Sequence, residues 1–215
     1  MEEFLQSLHC MKPYRPAKPL AAQSSNAQPA PHASGEVRII GGQWKRTVLP
    51  VAARPGLRPT PSRVRETLFN WLGHDLGGLR CVDAFAGTGA LGFEAASRGA
   101  GDVVLLESDA HLVVQLGKIK GKLNAGTVRI QRGDGIAFLQ NQPLASIDII
   151  FIDPPFDAPI FERALMAAKL AVSARGAIYL EAPKAWSPEE LAPLGLALQR
   201  AGKAGAVHYH LLGVL

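Results

Sequence analysis

Asp153-Pro154-Pro155-Phe156 concentrates the most chemistry in the fewest residues of this sequence. Two consecutive prolines fix φ and remove two backbone donors, so the turn is stiff and its carbonyls are left as acceptors. Asp153 and the Pro154 carbonyl can then each accept one hydrogen of the same planar amino group. Phe156 adds an aromatic face for a stacked base, worth about 1–3 kcal/mol per base in nucleic-acid systems. A purely structural turn has no use for all three parts. The very apolar residues 149–152 precede it, as a buried strand that delivers Asp153 to a sheet edge.

A second constellation begins at Asp83 and runs through Phe85, Ala86, Gly87, Thr88 and Gly89 to Gly92. The glycines at 87, 89 and 92 match the GxGxxG spacing of dinucleotide sites, so spacing alone does not identify the ligand. Asp83 decides the reading. A carboxylate just before the loop suits a ligand with an ammonium group and repels a pyrophosphate; S-adenosylmethionine carries that ammonium. Glu107, followed by Ser108, closes the next strand twenty positions after Gly87, where an acid can accept from both ribose hydroxyls. Asp134, in the turn with Gly135 after a third strand, is placed either to accept from an adenine amino group or to cap the helix that starts at 136.

These residues need a scaffold that brings strand ends together. From residue 79 onward apolar runs at 81–85, 103–106, 128–130, 147–152 and 177–180 alternate with helical stretches at 90–98, 111–123, 136–140 and 160–170. That rhythm predicts an α/β chain with a doubly wound, mostly parallel sheet covered on both faces. Residues 196–199 and 206–212 are expected to close it as an antiparallel pair.

Upstream, residues 37–66 carry seven basic side chains, Arg38, Lys45, Arg46, Arg54, Arg58, Arg63 and Arg65, against Glu66 alone. Residues 37–40 and 43–46 around Gly41-Gly42 predict a β-hairpin. Thr60 is expected to cap a helix with Pro61 at its first position, with Val64, Leu68, Trp71 and Leu72 on its apolar face and the arginines on another. Residues 1–36, rich in proline and alanine, read as a disordered leader, with Met1 and Met11 both open as the start. The expected organisation is therefore a leader (1–36), a basic hairpin-helix module (37–78) and a methyltransferase core (79–215).

Composition agrees with this layout. A chain of 215 residues that is 47% hydrophobic suffices for one full core, and its formal charge of +5 favours an anionic partner. No long apolar run or signal segment appears, so a cytoplasmic location without membrane contact is expected. Cys10 and Cys81 form neither a CxxC pair nor a zinc pattern, and Cys81 reads as a buried strand residue. His208 and His210 flank Tyr209 on an expected strand; a structural or RNA-facing role is favoured over metal binding.

Five blocks in order carry a family resemblance: residues 37–44, 57–60 and 63–72, then the Asp83 loop and Asp153-Pro154-Pro155-Phe156. Residues 37–212 resemble the bacterial methyltransferases that modify the 2-amino group of one guanine in small-subunit (16S) ribosomal RNA. The resemblance implies a Rossmann-like methyltransferase fold, S-adenosylmethionine as donor, and the assembled or assembling small ribosomal subunit as substrate. Catalysis then falls to Asp153, Pro154, Pro155 and Phe156. Cofactor contacts fall to Asp83, Phe85, Ala86, Gly87, Thr88, Gly89, Glu107, Ser108, Asp134 and Gly135. RNA contacts fall to Arg38, Trp44, Lys45, Arg46, Arg58, Arg63 and Arg65. A monomer is the default expectation, and the chemistry requires no metal. Ser62 stands where the family pattern tends to carry Asp.

In that reaction the amine's lone pair is delocalised until nitrogen becomes pyramidal, and two acceptors outside the ring plane favour the change. An ordinary carboxylate lies roughly ten or more pKa units below an aromatic amine, so attack precedes proton loss. Three other readings remain open: an adenine-amine methyltransferase on DNA or RNA, a nicotinamide-dependent oxidoreductase using the glycine loop, and a non-catalytic RNA-binding protein.

Overall fold

The computed structural model describes residues 36–51, 60–156 and 159–215. Arg54, Arg58, Cys10 and all but the last residue of the expected leader lie outside them.

A short antiparallel pair, β1 (Glu36–Arg38) and β2 (Val48–Pro50), precedes helix α1 (Ser62–Leu72). Alternation then follows: β3 (Arg80–Asp83), α2 (Ala90–Ser97), β4 (Asp102–Glu107), α3 (Ala110–Leu123), β5 (Val128–Arg132), α4 (Gly135–Gln140), β6 (Ile147–Ile152), α5 (Phe161–Ala171) and β7 (Val172–Ala182). A short helix α6 (Pro188–Leu191), not anticipated from the sequence, leads into β8 (Leu196–Ala204) and β9 (Val207–Val214). The main sheet has the order β5-β4-β3-β6-β7-β9-β8, with β5 to β7 parallel and β9 antiparallel to both neighbours. The expected doubly wound sheet with an antiparallel closing pair is therefore present.

The chain starts in the middle of this sheet at β3, runs out to β5, then returns to β6 on the other side of β3. Reversal of direction leaves a crevice beyond the carboxyl ends of β3, β4 and β6, the place where open α/β sheets bind ligands. Register aligns those ends: Asp83 pairs with Leu105 and Phe151, and Ile152 with Leu180. Both sheet faces are covered. One apolar cluster joins Val37, Ile39, Leu49, Val64 and Leu68 to Cys81, Phe93, Leu116 and Phe151; the other joins Val82, Ile150 and Ile152 to Ile136, Leu165 and Leu191. Coverage on both faces is why β4 and β6 read as continuous apolar runs.

The hairpin is real, but its second strand is not residues 43–46. Ile39 donates to Thr47 and Arg46 to Ile39, so residues 40–46 form the turn and pairing resumes at Val48. Arg46 sits at φ 71°, outside strand geometry. Docking explains the turn: Gln43 donates to the Ser97 carbonyl, Trp44 to Ser97 Oγ, and Ser97 Oγ to Gly41. A Cβ at Gly42 would stand 1.8 Å from the Ser97 carbonyl oxygen, so only glycine fits.

Glu94 is the anchor of this arrangement. It is fully buried in α2 and accepts from the amides of Ile40 (2.7 Å) and Gly41 (2.8 Å) and from Arg98 Nε (2.9 Å), with Arg65 3.8 Å away. Arg65 is thus corrected from an RNA contact to an internal cation: its Nε donates to the Thr60 carbonyl, one amino group donates to the Arg38 carbonyl, and 2% of the residue is exposed. Its place beside Val64 and Leu68 on the inward face of α1 dictates this. Burial pulls the Arg65 pKa down, opposed by Glu94 and Glu66. Thr60 is also corrected. Pro61 occupies the N-cap of α1, and the Thr60 hydroxyl is engaged elsewhere.

Candidate active site

At the carboxyl edge of the parallel strands lies a cavity of about 1070 Å³, at the upper end of the range for one small-molecule site. Its volume accommodates a donor and a base together. One end is built from the β3 loop. Asp83, 1% exposed, accepts from Gly92 N through Oδ2 at 3.1 Å, while Oδ1 is buried without a hydrogen-bond partner among the described residues. Burial pushes Asp83 up to about 7, with the Gly92 and Phe85 amides opposing and Glu107 and Glu181 adding to the rise. A buried, unsatisfied carboxylate oxygen at a cavity wall fits a cationic ligand group.

Phe85, Ala86, Gly87 and Thr88 continue the wall. Gly89 does not line it; at φ 78° it caps α2 and turns the chain, and a Cβ there would meet the Leu116 and Phe93 side chains at 2.6 Å. Glu107 is held at the end of β4 by the amides of Gly87 (Oε2, 2.8 Å) and Asp109 (Oε1, 2.8 Å) and lines the cavity with Ser108. Each oxygen accepts more than one hydrogen bond, so two vicinal hydroxyls still find acceptors there. Asp134 caps α4, its Oδ1 accepting from Ile136 (2.7 Å) and Ala137 (3.1 Å), yet it also lines the cavity. A Cβ on its neighbour Gly135 would lie 1.9 Å from the Ala84 carbonyl oxygen, which fixes glycine where this turn crosses the β3 loop.

The other end belongs to β6 and its successors. Asp153, Pro154, Pro155 and Phe156 all line the cavity, with Pro154 buried and Phe156 37% exposed, so the ring keeps a free area for stacking. Thr60 Oγ1 donates to Asp153 Oδ2 at 3.3 Å, the bond that displaces the expected helix cap. Burial holds Asp153 well above the usual carboxylate range, reinforced by Glu181 and Asp83 and opposed by the Thr60 hydroxyl.

Sequence reasoning missed Glu181 and Arg163, which also line this cavity. For Glu181 a signal existed: one acid at the carboxyl end of an otherwise apolar run in a sheet whose sites lie at that edge. Of the expected RNA contacts, Arg38, Lys45, Arg46 and Arg63 are exposed and none lines the cavity, while Trp44 packs partly against the core. His210 is buried, its Nε2 accepting from the Trp186 amide at 3.1 Å.

Sheet order, crevice and motif positions together define the Rossmann-like methyltransferase fold; a methyltransferase from Aquifex aeolicus described as S-adenosylmethionine-dependent shares it at TM-score 0.54 and 17% identity, covering 73% of this chain and 94% of that one. The family model described as Conserved hypothetical protein 95 matches residues 37–213. Ribosomal RNA small subunit methyltransferase D of Escherichia coli K12 is 41% identical over 180 residues, 83% of this chain and 90% of that protein. The solved structure of Escherichia coli yhhF superposes at TM-score 0.71 with 40% identity, covering 84% and 98% of the two chains. This chain belongs to the ribosomal RNA small subunit methyltransferase D family.

Proposed function

We propose that this protein methylates the exocyclic 2-amino group of a guanine in small-subunit ribosomal RNA, with S-adenosylmethionine as donor. The observation that carries the reading is one cavity holding both Asp83, with its unsatisfied oxygen, and the Asp153-Pro154-Pro155-Phe156 turn. Family membership supports the same reaction.

S-adenosylmethionine, when bound, supplies a methyl group already activated by its sulfonium. Asp83 would hold its ammonium and Glu107 its ribose hydroxyls, while Phe85, Ala86, Gly87, Thr88, Ser108, Asp134 and Gly135 shape the donor end of the cavity. Phe156 stacks the guanine. Asp153 and the Pro154 carbonyl grip the two amine hydrogens and favour a pyramidal nitrogen, with Thr60 fixing the Asp153 carboxylate through Oδ2. Alignment of this kind contributes as much as about 7–11 kcal/mol in well-oriented systems. Once nitrogen carries the methyl group it is a strong acid, and Asp153, with its raised pKa, is a better proton acceptor than an ordinary aspartate.

Residues 37–78 serve as the RNA-holding module and 79–215 as the catalytic core. Arg38, Lys45, Arg46 and Arg63 hold phosphates flanking a flipped or unpaired base, together with Arg58. The substrate is the assembled or assembling small subunit, met by a monomer in the bacterial cytoplasm. No helix among the described residues is long and apolar enough to cross a membrane.

The test is transfer of labelled methyl to unmodified small subunits, naked ribosomal RNA and DNA. Label in subunit RNA supports the proposal; label confined to DNA overturns its substrate. A second prediction follows from Asp83. Its ionised form binds the ammonium and its pKa in the free protein is about 7, so cofactor affinity should rise from about pH 6 to about pH 8, with proton release at the lower pH. Titration calorimetry in two buffers checks this. Asp83→Asn should bind roughly tenfold or more weakly and lose the pH dependence.

A further inference from the structure

Glu181 stands beside Asp153 at the end of the neighbouring strand: Ile152 pairs with Leu180 in parallel register, so each acid is the next residue along its chain. Both line the same cavity. Glu181 is 3% exposed, and Tyr179 Oη donates to its Oε1 at 2.8 Å. A carboxylate has about four lone-pair positions, so it can accept from a ligand as well as from neighbouring side chains such as Tyr179. The buried Glu181 and the half-buried Asp153, side by side, repel each other, and a ligand presenting two adjacent donors relieves that repulsion.

Guanine presents such a pair, because its 2-amino group lies next to the ring N1–H and one amine hydrogen points the same way as the N1 hydrogen. Adenine does not. Its amine is flanked by N1 and N7, both acceptors, which a second carboxylate would repel. We propose that Glu181 is the guanine-selecting residue, accepting the N1–H while Asp153 and the Pro154 carbonyl hold the 2-amino group. This rests on the guanine-N2 reading above and adds to it the residue that rejects other purines.

The test uses small subunits reconstituted with RNA in which the methylated guanine is replaced by 2-aminopurine, a base that keeps the 2-amino group but has an acceptor at N1. The wild-type protein should prefer guanine by roughly 10- to 100-fold in kcat/KM, the range for a hydrogen bond to a charged group. Glu181→Gln should lose rate on guanine and narrow the preference to within about threefold, since its amide can donate to N1. Unchanged S-adenosylmethionine affinity shows that the variant is folded. If it is not, Glu181→Asp replaces it and should keep the preference at reduced rate. The same guanine preference in wild type and Glu181→Gln, or its loss in Glu181→Asp, overturns the assignment of Glu181. No transfer to guanine by the wild-type protein would instead overturn the underlying reaction, and the inference with it.

Discussion

Asp153→Ala is expected to slow methyl transfer at saturating donor by roughly 10²–10³-fold while S-adenosylmethionine affinity stays within about threefold, the scale for removing a preorganised charge-stabilising group. The residue acts on the amine, whereas the donor end of the cavity is built from the β3 and β4 loops, so binding and chemistry separate. Single-turnover rates with donor titration read both. Asp153→Asn keeps an acceptor without the charge and should fall between. The pH dependence has a fixed sign: only the ionised carboxylate grips the amine, and burial, aided by Glu181 and Asp83, holds Asp153 above the usual range. The rate should therefore climb with pH through a limb displaced upward from ordinary aspartate. Thr60→Val should push that limb higher still, because the hydroxyl opposes the rise.

Glu94→Ala should cost about 3–5 kcal/mol, the range for removing one partner of a buried ion pair, which in a protein of this size corresponds to roughly 6–20 °C in Tm. Its carboxylate joins two backbone amides of the hairpin turn to the Arg98 and Arg65 guanidiniums. Truncation leaves both amides without their acceptor and both guanidiniums without their shared counter-charge in a dry interior. Thermal unfolding measures the loss. Limited proteolysis locates it, with cleavage at residues 40–46 appearing first. Because the turn carries Lys45 and Arg46, activity on subunit RNA should fall further than cofactor affinity.

The parallel sheet was legible because strands covered on both faces cannot avoid being continuous apolar runs, and β6 was read at its observed bounds, Ile147–Ile152. Asp153-Pro154-Pro155-Phe156 was legible because its meaning is local. Thr60 was not: its hydroxyl satisfies a cap in the sequence but a carboxylate 93 positions away in the fold. Arg65 failed for a related reason, since a charged residue on the inward face of a helix needs buried partners, and nothing near Arg65 announces Glu94, 3.8 Å away. Glu94 itself left a usable trace. It is the lone acid in a helix whose every residue is buried, and a helix apolar all round must pair any charge it carries. The shifted second strand of the hairpin reflects docking to Ser97, a tertiary contact that overrides the local glycine-turn pattern.

The most direct test of the central claim is nucleoside analysis of small-subunit RNA methylated by this protein with labelled S-adenosylmethionine. The account predicts label in a guanosine that carries the new methyl group on N2, absent with Asp153→Ala. Label on the adenine amine, or equal label with Asp153→Ala, would contradict it.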